Sequence, residues 1–280
     1  MVKAAKYVEN DCDAVDINLG CPQGIAKRGK YGSFLLEKTE LIKSMVTALH
    51  QNLKVPVTCK IRCLYSEKDT VALAKAIEGA GAAMLVVHGR IREQNKQEMG
   101  AANWEIIRKV KQAVGIPVIV NGGMSTYADC MKAMEYTGCD GVMSSESILE
   151  YPALFDNSRL YDLDQLSMEY LQMVEAYPGE ADLKNVRSHL HKFLYTGLKI
   201  HTDLRDKLSD AKSLDTLKEV VAEMTARREA IAADEKIGWY YRYWNSMSIE
   251  KGTNSTYVFT DWNTQIKESP VLNKKSKKSD

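Results

Sequence analysis

Five short runs rich in apolar and β-branched residues recur through the first half of the chain, at 14–19, 55–61, 84–88, 116–121 and 140–144. Between them lie amphipathic segments, 34–53, 69–79, 103–114 and 126–136, each long enough to cross over and return the next strand in parallel. This βα repeat confines the chain to a parallel sheet covered by helices, because strands so continuously apolar need both faces shielded. Periodicity leaves a barrel and an open doubly wound sheet both available. The polar residues favour the barrel. Asn18 to Cys21, Lys60 with Arg62, His88 with Arg90, Asn121 to Gly123 and Ser144 to Glu146 close the five runs at their C-terminal ends, the rim where (β/α)8 enzymes assemble their sites.

After residue 155 the rhythm changes to helical periodicity through 165–176, 183–199 and 214–233. A length of 280 residues accommodates one large α/β domain or two smaller ones, and the change of period selects two: an α/β domain over 1–158 and a helical domain over 159–280. The end of the second is aromatic at Trp239 to Trp244 and basic at Lys274 to Lys278; the basic tail has the composition of a solvated, disordered end. Lys and Arg number 38 against 37 Asp and Glu, a balance that excludes a generally basic nucleic-acid coat and identifies no partner. No run of about 18 apolar residues exists, and the first residues lack the apolar core of a signal peptide. A soluble protein of the cytoplasm, or of the nucleus, is expected, with no membrane partner. Six scattered cysteines without CxxC or histidine spacing point to reduced thiols, neither a disulfide framework nor a metal site.

Several residues carry chemistry by position. Cys21, in Gly20-Cys21-Pro22, follows directly on a buried strand and would stand at the mouth of the sheet. Gly24, Gly29 and Gly32 with Lys27, Arg28 and Lys30 read as a flexible basic loop, either one that closes over an anionic polymer or one that only faces solvent. Lys60 and Arg62 alternate with Cys59 and Ile61 and so share one strand face. A lysine pointing into an apolar barrel needs an anionic partner, either a cofactor or a neighbouring carboxylate. His88 can donate to a cofactor or base, and Arg90 can reach phosphate. Asn121-Gly122-Gly123 before a helix start near Ser125 forms an anion cradle, or a tight turn with no ligand; Ser145 and Glu146 follow the last strand, beside the usual phosphate position of such barrels.

Taken together, Asp16-Ile17-Asn18-Leu19-Gly20-Cys21-Pro22, Val57-Thr58-Cys59-Lys60-Ile61-Arg62, Val87-His88-Gly89-Arg90, Val120-Asn121-Gly122-Gly123 and Asp140-Gly141-Val142-Met143 resemble the tRNA-dihydrouridine synthases. Arg187 to Lys192 and Asp203 to Leu208 resemble the eukaryotic type acting on positions 16 and 17 of the D-loop. The resemblance covers residues 4–208. It implies a TIM-type barrel lacking its first three strands, followed by an all-helical domain, since members begin with three further strands. It also implies FMN, reloaded by NADPH or NADH, and Cys21 as the acid that protonates C5 of the uracil while hydride passes from flavin N5 to C6. Lys60, His88, Asn121, Gly122, Gly123, Ser145 and Glu146 would hold the flavin; Glu146 departs from the Gly-Arg pair of many relatives, and an acidic side chain cannot itself hold phosphate. Asn18, Arg62 and Arg90 would face the substrate, with Lys184, Arg187, Lys192 and Lys199 gripping the tRNA. Two other readings are an FMN barrel acting on a small pyrimidine, and a non-catalytic tRNA-binding remnant.

Overall fold

In a computed structural model, residues 1–95, 100–159 and 161–230 are described; the aromatic stretch from Trp239 and the basic tail lie outside them. The described residues cluster into two compact units, the first from 1–124 and 128–143, the second from 125–127 and from 144 onward.

The first unit is built on β1 (Val15–Leu19), β2 (Val57–Cys63), β3 (Met84–Ile91), β4 (Val118–Asn121) and β5 (Gly141–Met143). All neighbours are parallel, and the strand order is β1-β2-β3-β4-β5. That order never reverses, so the sheet has no topological switch point of the kind a doubly wound fold requires; it is wound in one direction, as a barrel wall is. The crossovers are α3 (Thr39–Asn52), α4 (Glu67–Gly79), α5 (Trp104–Ala113) and α6 (Tyr127–Thr137). Ser66 and Asn103 cap α4 and α5, their side-chain oxygens accepting from the N–H of Asp69 and Ile106.

One sheet face is apolar. Ile17, Leu19, Val57, Cys59, Ile61, Leu85, Val87, Val118 and Val120 are buried there with Ile42, Leu49, Leu73, Ile77, Ile107 and Val110 of the helices. Strand register sets the side chains of the other face in rows, Asn18 and Lys60 beside Val86 and Ile119 in one, Arg62, His88 and Asn121 beside Met143 in the next. The alternation read from Lys60 and Arg62 therefore holds across strands.

Two local readings need correction. The basic segment after Cys21 is not a glycine-loosened loop: residues Gly24–Gly29 form a short helix, α2, ended by Lys30 in the left-handed conformation at φ 55°. With Gly24 at its first residue and Gly29 at its last, the glycines sit where a helix tolerates them best. The long segment 34–53 also divides, into a 3-10 turn at Gly32–Leu35 and then α3.

The second unit contains α7 (Glu146–Glu150), α8 (Leu163–Ala176), α9 (Leu183–Phe193), α10 (Tyr195–Ile200), α11 (Thr202–Asp210) and α12 (Leu214–Glu229). The helix expected over 183–199 breaks at Leu194 (φ −92°, ψ 13°). Leu171, Val186, Leu190, Phe193, Leu208 and Val220 are among the residues of its separate core. Inside lies an ion pair: the Arg228 guanidinium donates from Nε and Nη2 to the two carboxylate oxygens of Asp164, at 2.9 and 3.0 Å. The side chains are 10% and 3% exposed, so removing the cation strands a buried carboxylate. Arg228→Ala is expected to destabilise this unit by about 3 kcal/mol, read as a lower denaturant midpoint with an unchanged slope; an unaltered midpoint would show the pair to be dispensable.

Candidate active site

The turn bearing Cys21 is held from three sides. Asn18 Oδ1 accepts from the backbone N–H of Gly20 (3.0 Å) and of Cys21 (3.2 Å), an Asx-type turn that ends β1 and bends the chain back across the strand end. Arg62 donates from Nε to Gly20 O (3.0 Å) and from Nη1 to Ile91 O (2.9 Å) and Gln94 O (3.1 Å). The carbonyl of Cys21 accepts from both the N–H (3.0 Å) and the hydroxyl (2.9 Å) of Ser33. Cys21 itself is partly exposed, whereas Cys59, Cys63, Cys130 and Cys139 are buried. Gly32, at φ +62°, lies so close that a Cβ there would stand 2.7 Å from Cys21 O.

Beside this turn, Lys60 donates from Nζ to Asn121 Oδ1 (2.9 Å), and Asn121 Nδ2 donates to Met143 O (2.8 Å). The carboxamide thus ties β2 to β5 across the polar face. Burial, joined by the like charge of Arg62 and opposed by Asp16, pushes the Lys60 ammonium down to about 8. Its hydrogen-bond acceptor is neutral, so the carboxylate pairing considered from sequence is replaced by an amide contact that does not cancel the charge.

His88 is pushed down to about 2, first by burial and then by Arg62, Lys60 and Arg90, so its ring is neutral at physiological pH. Arg90 Nη1 lies 3.2 Å from His88 Nε2; since arginine can only donate, Nε2 accepts and the ring proton belongs on Nδ1. Arg90 also donates from Nε to Gly100 O (2.9 Å) and is buried. Between Arg62 and Cys63 the β2–β3 register shifts, leaving Gly89 and Arg90 out of the pairing. Gly89 is needed there because a Cβ would meet Asn103 O at 2.8 Å.

Gly122 and Gly123 have φ of +98° and +89°. A Cβ at Gly122 would reach 2.7 Å from His88 Cδ2, and Gly122 O accepts from Trp104 Nε1 at 2.9 Å. The glycine pair is therefore required by backbone conformation and by the histidine ring behind it. A backbone without side chains, a half-buried ammonium on a neutral partner, and a neutral imidazole with a donor nitrogen together suit a planar ligand carrying negative charge.

The structure brings Asn18, Lys60, Arg62, His88 and Asn121 to one face of the sheet, with Cys21, Arg90, Gly122 and Gly123 at the C-terminal ends of its strands. Ser145 and Glu146 belong instead to the second unit, both exposed at the start of α7. In that unit Lys184, Arg187 and Lys192 lie on α9 away from its buried Val186, Leu190 and Phe193. Arg187 Nη1 donates to Ser209 O (2.8 Å) and Ala211 O (3.1 Å), and Lys199 Nζ stands 4.6 Å from the centre of the Tyr195 ring. Sequence reasoning missed Ser33 and Trp104, whose partners lie 12 and 18 residues away in the chain; no local pattern marks either.

A family model described as dihydrouridine synthase (Dus) matches residues 1–237. The tRNA-dihydrouridine(16/17) synthase [NAD(P)(+)]-like protein of Rattus norvegicus is 42% identical over 237 residues, covering 85% of this chain and 53% of the relative. The tRNA-dihydrouridine(16/17) synthase [NAD(P)(+)] of Schizosaccharomyces pombe is 41% identical over 250 residues, 84% of this chain and 62% of the relative, and that of Saccharomyces cerevisiae is 41% identical over 229 residues, 78% and 54%. The chain spans about half the length of the curated relatives it matches. On the family match and on these identities, the chain belongs to the dihydrouridine synthase (Dus) family.

Proposed function

We propose that this chain carries the catalytic rim of a tRNA-dihydrouridine synthase, which reduces D-loop uridine at positions 16 and 17 to 5,6-dihydrouridine with FMN and NAD(P)H. The observation that carries this reading is the clamped turn of Cys21 at the same sheet end as Lys60, His88 and Gly122, beside a face otherwise suited to an anionic planar ring.

FMN, when bound and reduced by NAD(P)H, would supply the hydride for C6 of the uracil. Lys60, which Asn121 holds, would stabilise negative charge on its ring, His88 would donate from Nδ1, and Gly122 with Gly123 would leave room for its polar chain. Cys21 gives its thiol proton to C5 and recovers one from solvent, so hydride and proton together saturate one double bond. Asn18, Arg62 and Arg90 support this substrate side through the turn and the imidazole they hold. The uracil edge is hidden while the base is stacked, so the uridine is extruded into the rim before reaction. The described helices from α8 to α12 are the tRNA-holding part in this reading, with Lys184, Arg187, Lys192 and Lys199 offered to backbone phosphates, an electrostatic contact that weakens with salt.

One experiment tests the whole. The chain is purified, its visible spectrum is recorded for bound flavin, and it is incubated with NADPH and an unmodified tRNA transcript. The expected result is a flavin spectrum and the gain of two hydrogens at a D-loop uridine, found by mass spectrometry of the digested RNA. A flavin-free chain that shifts tRNA on a gel and forms no product overturns the catalytic reading in favour of binding alone. Reduction of free uracil in place of tRNA overturns the substrate assignment.

A further inference from the structure

Beyond the groups already placed, the Cys21 turn rests on a second layer. Ser33 holds the Cys21 carbonyl twice, and Ser33 O is in turn held by Arg92, whose Nη1 donates to it at 3.0 Å. Arg92 is itself fixed: Nη2 lies 2.7 Å from Glu37 Oε1 and Nη1 lies 3.1 Å from Glu37 Oε2, a two-oxygen pairing, while Nε meets Glu93 Oε1 at 3.2 Å. The guanidinium also stands 5.0 Å from the centre of the Phe34 ring. Its charge is committed to this geometry: burial works against it, and the hydrogen bond to Glu37 with the nearby Glu93 carboxylate outweighs burial and raises its pKa. One side chain past the end of β3 thus sets the position of a backbone segment joined to β1, across 59 residues of sequence. A guanidinium can make these bonds at once because its donors are arranged as a planar fork; an ammonium can serve only some of them.

We propose that Arg92 is a positioning residue for Cys21, acting through Ser33. The inference rests on the reading of Cys21 as the proton donor. If the thiol must lie within proton-transfer reach of C5, slackening the turn leaves tRNA binding intact and slows the chemical step, since small misplacements of a reacting group cost rate steeply.

The test is a double-mutant cycle in the chain as it is purified, with a second readout that needs neither flavin nor turnover. In hydrogen exchange, Arg92→Ala speeds exchange of the Ser33 and Cys21 amides about tenfold, because both N–H groups belong to the turn that loses its anchor. In turnover, Arg92→Ala lowers kcat about tenfold with KM for tRNA nearly unchanged, and Arg92→Lys recovers part of the loss. In a Cys21→Ala background Arg92→Ala costs nothing further, because a group that acts through the thiol has nothing left to position. Arg92→Lys, which keeps the charge and loses part of the fork, carries the same cycle should Arg92→Ala fail to fold. An unchanged exchange rate at Ser33 and Cys21 overturns the proposal, and so does an equal loss of kcat with and without the thiol, which marks Arg92 as a general support of the fold. Full activity of Cys21→Ala alone would defeat the proton-donor reading separately, while the exchange result would still report whether Arg92 anchors the turn.

Discussion

On the proposed function, Cys21→Ala is expected to leave flavin content unchanged and to slow dihydrouridine formation about 100- to 10,000-fold, the range a positioned general acid contributes. The substitution isolates the proton because the surroundings survive it. Asn18 binds the backbone N–H of residue 21, and Ser33 binds its carbonyl, so the turn keeps its anchors whatever the side chain. The Cβ that faces Gly32 is also retained. Lys60, His88 and the glycine pair are untouched, so flavin binding has no reason to change. Single-turnover mixing of the reduced protein with tRNA gives the measurement, followed by the decay of reduced flavin and by dihydrouridine content. A variant that forms product at the parent rate removes the thiol from the chemistry, and a variant that loses its flavin shows that the sulfur serves the cofactor site.

How much of this was legible in the residues follows from the range over which each feature is encoded. The strands declared themselves because each is a short apolar run, and the alternation of Lys60 and Arg62 with Cys59 and Ile61 named the polar face before any coordinates. Barrel-type winding was a weaker inference, drawn from where polar residues end the runs; the strand order supplies the direct argument. The jobs of Arg62 and Arg90 were less visible. As charged residues near a site they read as substrate contacts, and the structure adds a second job, with Nε and Nη1 of each bound to backbone carbonyls and, for Arg90, to His88. Charge can be read from a single position, but a hydrogen-bond partner 29 or 42 residues away cannot. The same holds for α2: Gly24 and Gly29 argued for a loop by composition, and only their placement at the two ends of the helix makes them compatible with it.

The second large effect is a pH dependence centred on Lys60. With no ligand, the Lys60 ammonium is pushed down to about 8, by burial first and by Arg62 next, so this side chain is cationic below that pH and neutral above it. A reduced flavin carries negative charge on its ring, and on the proposed function it would bind the cationic form. Its affinity is therefore expected to hold steady below pH 8 and to fall about tenfold per pH unit above it, until the weaker binding of the neutral form takes over. Stability of the empty chain moves the other way. A lysine whose pKa is lower folded than unfolded binds fewer protons in the folded state between about 8 and the ordinary lysine value of 10.5, so its contribution to stability rises with pH across that window. Lys60→Met should abolish both trends: weaker flavin binding at neutral pH that no longer declines through 8, and a flatter stability profile than the parent's between 8 and 10.5. Anaerobic titration with reduced FMN at several pH values, for parent and variant, gives the first comparison, and denaturant unfolding gives the second. If the parent's affinity is level from neutral pH to well above 8, the ammonium does not meet the flavin's charge, and the polar face would need another cation for that role.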